Sequence, residues 1–279
     1  MPARIAFEFE TPRGERRTTS LAYERRGRGE PLLLLHGIGH HWQAWEPVLD
    51  ILATERDVVA VDLPGFGASD GLPQDCAYDL ATVVPVLTAF CAAVGIDRPH
   101  VAGNSLGGLL ALQLGSEKAV RSVTALSPAG FWSESERRYA FGTLRAMRGA
   151  ALSLPVPLID RLSRTPAGRT VLTSTIYARP GRRSPEAVAA ETLALREATG
   201  FHQTLAAGRA VLFRNDIPSL PVTVAWGTRD RLLLRRQGAR AKRVLPDARL
   251  VRLPGCGHVP MNDDPALVAR VLLDGSATG

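Results

Sequence analysis

Short runs rich in Val, Leu and Ala alternate with helical periodicity along most of the chain. Leu32 to Leu35, Val58 to Asp62, His100 to Gly103, Val120 to Leu126, Val222 to Trp226 and Leu250 to Leu253 have the length and the Val, Leu and Ala content of buried strands. Apolar positions recur at helical spacing over Trp45 to Ala53, Tyr78 to Val94, Leu106 to Ser116, Arg235 to Val244 and Pro265 to Leu273. Strands each followed by a helical pattern predict an α/β fold, with a mostly parallel central sheet and helices on both faces. Earlier, Ile5 to Phe9 and Ser20 to Arg25 alternate polar and apolar residues and predict entry strands, with the turn Gly27-Arg28-Gly29-Glu30-Pro31 leading into the first buried run.

The alternation stops after Ser127-Pro128-Ala129-Gly130. From Phe131 to Arg214 helical patterns are broken at Pro155, Pro157, Pro166, Pro180 and Pro185, and no strand pattern intervenes. The expected organisation is a core of residues 1–130 and 216–279 with an inserted helical cap, 131–215, lying over the carboxyl ends of the strands. Most of the cap's aromatic residues are expected to form its own core, and a minority to line a pocket. Trp132, Tyr139 and His202 are the substrate-binding candidates in that segment.

Composition narrows the setting. A chain of 279 residues, 45% hydrophobic, buries one large core, as a single domain with an insertion or as two domains. The start shows no leader pattern and no run approaches a membrane span, so a soluble, unexported, cytoplasmic protein is expected. Cys76, Cys91 and Cys256 form an odd set without metal or redox spacing and read as free thiols, Cys256 as a buried filler. The net charge of +7 is uneven: the segment 131–215 holds 13 arginines against six acids, a surplus equal to that of the whole chain. Without aromatic interleaving or a known module, this excludes nucleic acid as the expected partner. It leaves a solvated arginine-rich surface or an anion-attracting rim around a small-molecule site.

Candidate chemistry centres on Gly103-Asn104-Ser105-Leu106-Gly107, a G-x-S-x-G between a strand run and a helix. A serine at so sharp a turn needs neighbours without side chains, because strand and helix backbones approach closely there. Gly227-Thr228-Arg229-Asp230 follows one later strand and supplies an acid; Gly257-His258-Val259-Pro260 follows the last and supplies a base. An imidazole titrates near neutrality and can take the proton of an attacking hydroxyl, while a carboxylate fixes its tautomer. Ser105, Asp230 and His258 are thus the catalytic candidates, in the order of α/β-hydrolases.

Together with Leu35-His36-Gly37-Ile38-Gly39 and Asp62-Leu63-Pro64-Gly65-Phe66-Gly67-Ala68-Ser69, these motifs closely resemble the α/β-hydrolase fold superfamily over nearly the whole length. The resemblance implies an oxyanion hole from the backbone N–H groups of Ile38 and Leu106. It implies that His36 shapes the oxyanion turn and that Asp62 accepts hydrogen bonds within a structural turn. The chain departs from the pattern after the acid, where Leu232-Leu233-Leu234 stands in place of a frequent proline. His100 starts a strand, and His40 and His41 read as exposed loop residues or as a pocket edge.

A serine at the elbow argues against the aspartate-dependent dehalogenases and epoxide hydrolases of the superfamily. The expectation is a serine hydrolase of the carboxylesterase type, acting on a small carboxylic ester or related acyl substrate and needing no metal or organic cofactor. Alternatives are a carbon-carbon bond hydrolase of ring-cleavage diketo acids, which the Gly-Asn-Ser-x-Gly-Gly elbow resembles, and a small-molecule receptor without turnover.

Overall fold

The computed structural model describes residues 2–277. Strands β1 (Ala3–Glu10), β2 (Arg16–Arg26), β3 (Glu30–Leu35), β4 (Arg56–Val61), β5 (His100–Asn104), β6 (Ser122–Leu126), β7 (Val222–Gly227) and β8 (Arg249–Leu253) form one sheet, ordered β1-β2-β4-β3-β5-β6-β7-β8. β1 pairs antiparallel with β2, and β2 with β4; every other pairing is parallel.

Helices α1 (Glu46–Leu52), α2 (Leu80–Ala93) and α3 (Leu106–Ser116) alternate with the first strands. Between β6 and β7 the chain forms α4 (Glu134–Ser153), α5 (Val156–Ser163), α6 (Pro166–Thr173), α7 (Pro185–Glu197) and α8 (Phe201–Ala207), with no strand. Helices α9 (Arg236–Val244), α10 (Pro260–Asp263) and α11 (Pro265–Gly275) complete the chain.

The apolar bias of the central strands has a direct cause. Successive side chains of a strand point to opposite faces, so a strand covered on both sides favours apolar residues at successive positions. Leu33 and Leu35 enter one buried cluster with Val84, Leu87 and Leu110 of α2 and α3. Leu32 and Leu34 enter the other, with Leu49 of α1 and Val268 and Leu272 of α11.

Boundaries follow capping chemistry. α2 begins at Leu80 because the Asp79 side chain accepts from the Thr82 N–H, and α4 opens on a reciprocal Ser133–Glu136 capping box. One strand expectation is corrected: β8 is not buried, and of its residues only Leu253 is inside. It is the last strand of the sheet, so its outer flank and its arginines meet solvent. Among the described residues no helix is long and apolar enough to cross a membrane. All three cysteines are free; Cys91 and Cys256 are buried, Cys76 half-buried.

Candidate active site

The parallel strands all end on one edge of the sheet, and the candidate residues sit just past those ends. Ser105 joins β5 to α3 with φ 57° and ψ −112°, a left-handed conformation that a non-glycine residue adopts at a cost of roughly 1–3 kcal/mol. The turn is possible only because its neighbours lack side chains. A Cβ on Gly103 would run into the Gly107 carbonyl, and one on Gly107 into the carbonyl of Leu35 at the end of β3. Gly107→Ala is therefore expected to destabilise the protein by about 3 kcal/mol, read as a lower denaturant midpoint with unchanged slope.

Beyond β7, the Asp230 carboxylate is buried and divided between two tasks. Oδ1 accepts from the backbone N–H groups of Leu232 at 2.9 Å and Leu233 at 2.8 Å. Oδ2 lies 2.8 Å from Nδ1 of His258. The missing proline acquires a reason here, since a proline at 232 or 233 would remove one of those donors.

The His258 loop after β8 is tied down from three directions. Asn104 Nδ2 donates to the His258 carbonyl at 2.9 Å, the Val259 N–H donates to Ile176 O at 3.0 Å, and the Gly257 N–H donates to Asp263 Oδ2 at 2.8 Å. Asp263 also accepts from the N–H groups of Ala178 and Arg179, joining this loop to the segment after α6. Ser105 and His258 wall the same cavity. No hydrogen bond joins the two side chains among the described residues; contacts of this kind commonly close only when substrate is bound.

The turn after β3 abuts the serine: a Cβ on Gly37 would stand 3.2 Å from the Ser105 Cβ. His36 shapes it, with Nδ1 donating to Gly37 O at 2.7 Å and Nε2 accepting from the Leu63 N–H at 2.9 Å. Asp62 accepts from the N–H groups of Trp42 at 2.6 Å and Ala68 at 2.8 Å, while burial pushes its carboxyl up to about 6. Neither the Ile38 nor the Leu106 N–H has a protein acceptor among the described residues. The Leu106 N–H opens α3, where unpaired donors and the helix dipole favour negative charge.

The cavity has a volume of about 170 Å³ and is walled by α4, α6, α7 and the ends of the strands. Leu144, Met147 and Ala151 present one face of α4 to it, with Leu154 just past its end, and Glu191, Thr192 and Leu195 one face of α7. A smaller apolar cavity of about 50 Å³ adjoins Ser105 on another side, with Trp132, Phe141 and Leu205 in its wall.

Two expectations change. Tyr139 is half exposed and donates its hydroxyl to the Arg231 carbonyl, and His202 is exposed; neither lines a cavity at Ser105. His40 and His41 are buried rather than exposed, and His40 walls the main cavity, because the loop folds inward beneath α7. No arginine of the surplus lines either cavity, and among the described residues Glu191 is the only Asp, Glu, Lys or Arg in the two walls. Glu191 and Asp263 escaped sequence reasoning. The available signal was a lone acid at helical spacing from Val188 and Leu195 in an otherwise apolar stretch.

Burial holds the His36 and His40 rings down to about 3, and those of His41 and His100 below their ordinary value. The unfolded chain takes up these protons near pH 6.5 and the native protein does not, so the unfolded state gains protons and stability falls as pH drops below 6.5. Asp62 opposes this through its raised carboxyl, but four rings outnumber it. Lowering pH from 6.5 to 5 is expected to cost roughly 1–3 kcal/mol per pH unit, measurable by urea unfolding.

A family profile described as the alpha/beta hydrolase family matches residues 32–271. A pimeloyl-[acyl-carrier protein] methyl ester esterase of Nitrosomonas europaea is 29% identical over 88% of this chain and 95% of its own length. Among solved structures, a thermophilic esterase from Thermogutta terrifontis superposes with a TM-score of 0.75 at 19% identity, covering 98% of this chain and 97% of that one. A meta-cleavage product hydrolase from Pseudomonas fluorescens IP01 does so with a TM-score of 0.72 at 18% identity, covering 92% and 93%.

Proposed function

The chain belongs to the alpha/beta hydrolase family, and from that premise we propose that it is a serine esterase acting on small, uncharged carboxylic esters through Ser105, His258 and Asp230. The observation that carries the reading is the Asp230–His258 pair, 2.8 Å apart, on a cavity shared with the strained Ser105.

His258 takes the Ser105 proton as the hydroxyl attacks the ester carbonyl. The N–H groups of Ile38 and Leu106 receive the oxyanion, and such donors are each worth about 10²- to 10³-fold in rate. His258 then returns the proton to the departing alcohol, and water, activated by the same ring, hydrolyses the acyl-serine. Residues 131–215 act as a cap that walls the substrate from solvent, with Trp132 on the smaller apolar side.

Carbon-carbon cleavage of anionic diketo acids is the less favoured reading, despite the Gly-Asn-Ser-Leu-Gly-Gly elbow. A carboxylate in this cavity would meet Glu191 and no arginine in the wall. A receptor without turnover is less favoured because all three triad positions are filled. Treatment with a fluorophosphonate is expected to add one label at Ser105, and short-chain p-nitrophenyl esters are expected to be cleaved. An unlabelled Ser105 together with no ester turnover would end the esterase reading, and turnover of a vinylogous diketo acid far above that of esters would replace it.

A further inference from the structure

Part of the main cavity's wall, where His40 and Glu191 stand, carries polar groups that ester cleavage does not use. Arg183 and Glu191 form a buried ion pair, the guanidinium meeting Glu191 Oε1 at 2.7 Å. Arg183 also donates to the Gln43 carbonyl at 2.9 Å. The other carboxylate oxygen, Glu191 Oε2, is buried without a hydrogen-bond partner. The Tyr177 hydroxyl lies beside the carboxylate and moderates the effect of its burial, but makes no hydrogen bond of ordinary geometry with it.

His40, in the same wall, has an equally unpaired Nδ1. With His41 Nε2 and Gln43 Oε1, this makes four of the 11 buried unpaired side-chain atoms among the described residues. Two of these four, His40 and Glu191, stand in the wall of the same cavity, and native proteins leave few buried polar atoms unpaired.

We propose that this part of the cavity binds a hydroxyl group on the substrate arm that extends from the ester past His40 to Glu191. The proposal rests on the esterase reading and names its substrate class. A hydroxyl donates one hydrogen bond and accepts others, which suits a carboxylate oxygen on one side and a neutral imidazole on the other. An ammonium offers only donors and would lose its hydration to a pair that Arg183 has already neutralised. A carboxylate would meet the Glu191 oxygen with like charge.

The test compares p-nitrophenyl 6-hydroxyhexanoate, 7-hydroxyheptanoate and 8-hydroxyoctanoate with the esters in which a methyl group replaces each terminal hydroxyl. At the length that reaches Glu191, kcat/KM for the hydroxyl ester is expected to exceed that of its methyl counterpart by about tenfold or more. The double variant Arg183→Met/Glu191→Leu removes both charges together, an exchange that buried pairs commonly tolerate. It is expected to abolish the preference.

Equal or better cleavage of the methyl esters at every length would overturn the proposal and leave the esterase reading standing. A hydroxyl preference that survives in the double variant would overturn it too, since the group would be read elsewhere. No cleavage of any ester, with Ser105 unlabelled by fluorophosphonate, would remove the esterase reading and this proposal with it.

Discussion

Replacing Ser105 with alanine is expected to lower ester turnover by about 10⁴-fold or more, because it removes the hydroxyl held on the strained turn that shares the cavity with His258. The fold should not suffer. The Ser105 hydroxyl makes no hydrogen bond among the described residues, and alanine meets the same backbone constraint at φ 57°. A melting temperature within a few degrees of the parent, beside lost turnover, separates chemistry from stability. The residual rate should be that of an oxyanion site and a cavity without a nucleophile, so adding His258→Ala should reduce it little further. A Ser105→Ala protein of verified mass that kept a tenth of the parental rate would rule out the serine.

The reach of sequence reasoning follows from what each signal encodes. The central strands were legible because burial on both faces favours apolar residues at successive positions, and Leu32 to Leu35 divide between the two clusters as that rule requires. The elbow was legible because Gly103 and Gly107 stand where any side chain would strike backbone. Such constraints are local and leave a mark in consecutive residues.

Side-chain direction in irregular or helical segments leaves a weaker mark. His40 and His41 sit in a loop with no periodicity, so nothing nearby tells inward from outward, and both turned in. Tyr139 and His202 have the chemistry of a substrate contact but lie on outer faces of α4 and α8, a matter of helix rotation set by distant packing. Glu191 became visible only when α7 was seen to face the cavity, where its partner Arg183 comes from the segment before that helix. β8 was legible as a strand yet not as an exposed edge, because strand order is a property of the whole sheet.

The Asp230 loop yields the second large effect, and its direction can be derived from hydrogen-bond polarity. In the parent, Oδ1 is committed to the N–H groups of Leu232 and Leu233, leaving Oδ2 for the Nδ1 proton of His258. In Asp230→Asn the two backbone donors must still face an acceptor, so the amide oxygen takes the Oδ1 place and the NH₂ group points at His258. The ring can meet a donor at Nδ1 only by moving its proton to Nε2, the nitrogen left to face Ser105. That nitrogen then carries a proton and cannot accept the serine's. Turnover is expected to fall about 10⁴-fold, while the two backbone bonds survive and stability changes little. Asp230→Ala, by contrast, would leave two buried N–H groups unpaired, at about 1–3 kcal/mol each, and should lower the melting temperature as well as the rate. The comparison therefore separates tautomer control from loop support. An Asn variant with near-parental kcat would mean that Asp230 only holds its loop, and that another group orients His258.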